Sequence, residues 1–204
     1  MSRKLRTCLS GVVVLAVFLA PLAAGAARGP LKVGVVDFYA PTPLAPFSGF
    51  FPERFAADDL TDLLARAAGD RLVMIPRDAV QRSEQEMRWG EADVLHFARL
   101  RALAGAVGAD RLVVGWIPQL TVEGGGGGRI GVFEGGDGAS GASRAEVSLV
   151  IQVFDAGQGR LVDEARYSAS DVGGPRSELA KRVIDHALRP AIPALLDHLT
   201  APGP

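Results

Sequence analysis

The feature that most constrains this chain is the alternation of short β-branched runs with segments of helical period. Leu31-Lys-Val-Gly-Val-Val-Asp-Phe38, Arg71-Leu-Val-Met-Ile75 and Gly108-Ala-Asp-Arg-Leu-Val-Val-Gly-Trp-Ile117 read as three strands, the first of them buried. Between the first two, Phe55, Ala56, Leu60, Leu63, Leu64 and Ala67 recur at helical spacing from about Glu53, and Gly69 supplies a stop. Between the second and third, the polar stretch 78–89 reads as a short exposed helix. Gly90 separates it from a stronger one near 92–107, carried by Leu95, Ala98, Leu103 and Val107. Strands that alternate with helices imply a parallel α/β core.

The pattern changes after the third strand. Ten of the eighteen residues from Gly124 to Gly141 are glycine, too much backbone entropy for a regular element. Glu146–Phe154 and Arg160–Ser168 then flank Asp155-Ala-Gly-Gln-Gly159, which predicts a hairpin with one alternating, half-solvated strand. A last amphipathic helix is expected from near Ser177, through Leu179, Val183, Ile184, Leu188, Ile192, Leu195, Leu196 and Leu199, kinked at Pro190 and Pro193. The expectation is a three-layer α/β sandwich with a mixed sheet of about five strands, in the order β-α-β-α-β-β-β-α. Right-handed crossovers restrict its parallel part to few arrangements.

The first 26 residues stand apart. Arg3, Lys4 and Arg6 precede an uncharged stretch with the apolar centre Gly11–Ala20, followed by Pro21 and the small residues Ala23–Ala27. This is the order of a secretory signal peptide, with cleavage expected after Ala26 or Ala27. The apolar centre is about half of the roughly 20 residues a helical span requires, and no later segment is long and apolar enough to span. Residues 27–204 are therefore expected to form one domain in the periplasm or outside the cell. Cys8 is the only cysteine and precedes the apolar run, so it cannot become a lipidated N-terminus. A cleaved chain holds neither a disulfide nor a thiol nucleophile, and a packed core must supply its stability.

Composition narrows the function classes. With 48% hydrophobic and 22% charged residues, the chain can bury a core, which excludes a tail without one. Setting aside the three bases of the leader leaves 19 bases against 23 acids, a net charge of −4. That balance gives no reason to expect nucleic acid or anionic lipid as a partner, since both are held by clustered Lys and Arg.

Catalytic chemistry has no signature. His96, His186 and His198 are scattered; Asp93 and His96 share a helix face, as exposed neighbours usually do, and no third ligand lies near the other two. Gly124–Gly128 lacks the Gly-Lys-Ser/Thr ending and following helix of a phosphate loop. Ser140 and Ser143 miss the strand-to-helix elbow of a hydrolase nucleophile. No catalytic, metal or cofactor residue is assigned. Trp89 and Trp116 are assigned to packing.

The informative loop runs from Ala40 to Pro52, where Pro41, Pro43, Pro46 and Pro52 accompany Phe47, Phe50 and Phe51. The prolines lower the entropy lost on ordering, and the loop leaves the first strand at its carboxyl end, the usual binding position of open α/β sheets. Phe47, Phe50 and Phe51 are thus candidate partner-binding residues; folding back as a lid over the core is the equal alternative.

Four of these segments resemble the periplasmic α/β domain shared by the curli-secretion lipoprotein CsgG, the N-terminal domain of the translocation protein TolB, and lipoprotein activators of penicillin-binding proteins. Leu31–Phe38 looks like the opening strand of that group. Arg71-Leu-Val-Met-Ile-Pro-Arg-Asp-Ala-Val80 is similar to its second strand, arginine-containing turn and helix start. Gly108–Ile117 resembles its Gly-Ala-Asp turn and third strand, and Val147–Ser168 its closing hairpin. The resemblance implies a non-enzymatic envelope component that works through protein contacts, and it allows a homo-oligomeric ring. A membrane pore is discounted: the lipobox is missing, and the Gly-rich insert lacks the sustained alternation of transmembrane strands. The expected function is an exported adaptor or assembly factor for another envelope protein. A small-ligand or glycan-binding module, with the Phe loop as pocket wall, is the alternative; a hydrolase ranks last.

Overall fold

The computed structural model describes residues 29–40, 50–123 and 143–201. The leader, Phe47 and the Gly-rich stretch therefore lie outside the described residues. Five strands, β1 (Leu31–Val35), β2 (Leu72–Met74), β3 (Arg111–Glu123), β4 (Arg144–Asp155) and β5 (Arg160–Val172), form one sheet in the order β2-β1-β3-β4-β5. β1 is parallel to β2 and β3, whereas β3, β4 and β5 are successively antiparallel. This is the mixed α/β sheet expected from the alternation.

Two helical layers enclose the parallel half. On one face, α1 (Pro52–Ala68), α4 (Arg176–Leu188) and α5 (Ala191–Thr200) bury Leu60, Leu64, Val183, Ile184 and Leu199 against Val33, Val35, Val113, Leu149 and Ile151. On the other, α2 (Arg77–Glu86) and α3 (Phe97–Val107) bury Val80, Leu100 and Leu103 against Val36, Leu112, Val114 and Phe154. Neighbouring β3 residues belong to opposite clusters, as the two-residue period of a strand requires.

Several local devices set these elements. Pro52, counted with the loop in the sequence, is the first residue of α1, where its missing N–H costs nothing. Gly108 ends α3 in the left-handed conformation, φ 70°, with its N–H donating to Ala104 O. In the turn that follows, Asp110 Oδ2 accepts from Lys32 N at 2.9 Å and Asp110 N donates to Lys32 O at 2.9 Å, which ties the turn to the start of β1. Gly115 makes room for Phe38, whose ring would lie 2.4 Å from an added Cβ.

Three expectations are corrected in detail. β3 does not stop at Ile117 but continues to Glu123, because a bulge between Trp116 and Gln119 absorbs Pro118, whose missing N–H a regular ladder could not accommodate. The helix near 92–107 is divided into a 3₁₀ turn, Glu91–Leu95, and α3. Asp93 drives that division: its carboxylate accepts from Gly90 N at 3.0 Å and pairs with Arg99 at 2.9 Å, so its partner is Arg99 and not His96. The final helix is two helices, α4 and α5, joined at Arg189–Pro190, and not one kinked rod.

Candidate functional site

Two surfaces combine polar chemistry with a definite position in the fold. The first lies at the carboxyl ends of β1 and β2. The chain leaves β2 through Ile75-Pro76 into Arg77, whose guanidinium is held from three sides. Its Nε donates to Asp58 Oδ1 of α1 at 2.9 Å, Nη1 to Val35 O, and Nη2 to Asp37 Oδ1. Asp37 N in turn donates to Glu84 Oε1 of α2 at 3.0 Å. Glu84 is 7% exposed, and burial, reinforced by the neighbouring Asp37 carboxylate, pushes its pKa up to about 7. This network fastens α1, α2 and β1 together. With its donors directed at carbonyl and carboxylate oxygens of the fold, Arg77 is a cross-brace and not a free anion receptor.

The two described loop phenylalanines, just ahead of α1, divide the two readings between them. Phe50 is half-buried: its ring meets Phe55 edge-on at 5.5 Å, and the Lys181 ammonium lies 5.7 Å from its centroid. Phe51 is 65% exposed, with the Arg54 guanidinium 6.0 Å from its ring centroid. Folding back against the core describes Phe50; an outward-facing aromatic describes Phe51.

The second surface is the helix-free face of the antiparallel half. α4 and α5 cover one side of β3–β5, burying Ala145, Val147 and Leu149 and half-burying Tyr167 and Ala169. The opposite cluster ends at Val114 and Phe154. Beyond that limit the register aligns Gln119 with Ser148 and Ser168, and Thr121 with Glu146 and Ser170. Gln119, Thr121, Ser168 and Ser170 are exposed. An open hollow of about 440 Å³ is lined here by Gln119, Glu146, Ser148, Ser168 and Ser170, among others. It is polar and open, built from strands, and neither Phe50 nor Phe51 is in its wall.

The histidines remain apart. His96 and His186 are exposed, and His198 lies 3.6 Å from Asp163 at the edge of the sheet. No group of three or more His, Cys, Asp or Glu side chains able to hold a metal occurs among the described residues. Trp89 packs under the Arg99 guanidinium at 5.9 Å, and Trp116 lies opposite Val150, both half-buried. In the sequence the Arg77 brace shows only as an arginine in a turn; its acids come from the segment after β1, from α1 and from α2, which no local spacing unites.

No protein-family model matches the chain, and no curated protein matches it either. Solved structures do. A hypothetical protein from Chlamydia trachomatis superposes with a TM-score of 0.55 at 12% identity, covering 85% of this chain and 100% of that one. The lipoprotein GNA1162 from Neisseria meningitidis gives 0.48 at 13% identity over 79% of this chain and 98% of its own. LpoB from Escherichia coli gives 0.44 at 11% identity over 84% and 82%. At these identities the likeness is one of fold, and it is the Chlamydia protein that carries it: the chain has the same α/β architecture over nearly its whole described length.

Proposed function

We propose that this is an exported, non-enzymatic envelope protein, an adaptor or assembly factor that acts through protein–protein contacts. The observation that carries the reading is the asymmetry of the sheet. Its parallel half is closed by helices on both faces, and Arg77 there is paired with Asp37 and Asp58. Its antiparallel half leaves one long polar face without a helix among the described residues. Such a face offers shape and hydrogen bonds to a partner. Phe51, exposed at the N-terminus of α1, suits an aromatic anchor at an interface. The order of charges and apolar residues in 1–26 supports export and leader removal, and hence a periplasmic or secreted location.

In-cell crosslinking in the envelope tests the reading. The native chain is expected to yield a defined heterologous adduct that Ser168→Arg or Phe51→Ser removes while the melting temperature is kept. Phe51→Ser is the informative loop variant, because Phe50→Ser would also disturb packing on Phe55. An adduct pattern unchanged by both substitutions overturns the proposal, as does turnover of a substrate by the purified protein.

A further inference from the structure

The outer edge of β5 ends the sheet, and no strand pairs with it among the described residues. Exposed edges template pairing with other chains, and proteins usually blunt them by shortness, bulges or charge. β2, at the opposite edge, is only three residues long. β5 has thirteen, and its one irregularity, the shift opposite Val153 and Phe154, lies near its start. From Asp163 to Val172 the strand is regular.

Its charges carry more information than its length. Glu164 and Arg166 sit two residues apart on the helix-free face, both exposed. Glu164 accepts from Gln152 Nε2 at 2.6 Å, but no ion pair involves either Glu164 or Arg166 among the described residues. An acid and a base so spaced are self-complementary about the residue between them.

We propose that β5 pairs antiparallel with β5 of a second copy about a two-fold axis at Ala165, joining two five-stranded sheets into one. In that register Glu164 of each copy lies opposite Arg166 of the other, and Tyr167 opposite Asp163. A two-fold perpendicular to the sheet keeps the helix-free faces on one side, so alternative registers differ only in which residue lies on the axis. An axis at Glu164 opposes the two glutamates, and one at Arg166 opposes the two arginines. An axis at Tyr167 places Asp163 against Asp171. Like charges directly opposite destabilise a strand pair, and an axis at Ser168, Ala169 or Ser170 opposes no charges at all; Ala165 is the one position from Asp163 to Val172 that sets an acid against a base on both sides of the axis. The inference is independent of the adaptor reading and leaves the helix-free face and Phe51 available to a different partner.

Sedimentation of the chain as isolated from the envelope tests it. The native protein is expected to be a dimer over a concentration series. Arg166→Glu should weaken association by about tenfold or more, because the two-fold turns two attractive pairs into two repulsive ones. The exchange Glu164→Arg with Arg166→Glu should restore the dimer, which separates lost pairing from misfolding. In a Cys8→Ser background, Ala165→Cys should form an intermolecular disulfide on oxidation, since directly opposed Cβ atoms on the axis approach the required separation; Ser170→Cys should not. A native monomer at every concentration, an unweakened Arg166→Glu dimer, or crosslinking through Ser170→Cys in place of Ala165→Cys overturns the proposal.

Discussion

The two halves of the sheet spend the same kind of sequence differently. In the parallel half, β1 is bounded by β2 and β3 and lies between two helical layers, so its last three residues, Val33 to Val35, and the following Val36 are buried on both faces. In the antiparallel half, β5 is an edge strand covered on one face only, and its exposure alternates residue by residue from Asp163 onward. A parallel connection needs a crossover helix, which lands on a face and closes it; a hairpin needs only a turn and brings no cover with it. The comparison teaches that the available surface of this protein follows from connectivity. Where the chain returns from β4 to β5 by a tight hairpin, one face stays without a helix among the described residues.

The contrast breaks most severely at the residue shared by both halves. Phe154 belongs to β4 but is fully buried in the α2–α3 cluster, with the Phe97 ring 6.0 Å away. Phe154→Ala should cost about 3–5 kcal/mol in denaturant unfolding, the range for a large aromatic lost from a close-packed site. A loss below about 1 kcal/mol would mean that α3 does not close this face.

A smaller effect sharpens the difference by pH. Folding raises the pKa of Glu84 from 4.5 to about 7, so between those values the native state holds a proton that the unfolded chain has released. Stability therefore falls as pH rises through that window, and the penalty for ionising Glu84 is complete above about pH 7. Glu84→Gln keeps an acceptor for Asp37 N and removes the charge. It should flatten this part of the profile and stabilise the protein at pH 8 by up to about 3 kcal/mol, read from urea midpoints at pH 5 and pH 8. Parallel profiles for the two proteins would contradict the burial assigned to Glu84.

The smallest effect lies on the open side. Ser168→Thr, on an exposed position of β5, should change stability by no more than about 0.5 kcal/mol in the same assay. A larger loss would show that this face is covered.

Most of the fold was legible because its signals are local. The three apolar runs, the helical spacing through Leu60 and Leu64, and Gly108 each act within a turn or two of chain, and each became the element expected. What escaped were features in which distant segments answer one another. Pro118 looks like a strand ending until β4 provides the partner that lets a bulge absorb it. Arg111 opens a strand in sequence, yet it is 5% exposed, lies 3.5 Å from Asp155, and caps α5 by donating to His198 O and Ala201 O. Of the candidate partner residues, Phe50 and Phe51 are adjacent in sequence and identical in chemistry, and only the position of Phe55 and Lys181 separates a packed ring from an exposed one.

By itself, then, the sequence determined the kinds of element, their order and the mixed character of the sheet, since hydrophobic period and turn chemistry act over a few residues. Which face remained open, which charges became locked around Arg77, and which strand was left at the edge were decided only in three dimensions. Those outcomes depend on helices and strands packing across tens of residues, where the neighbour that desolvates or pairs a side chain is not the neighbour in the chain.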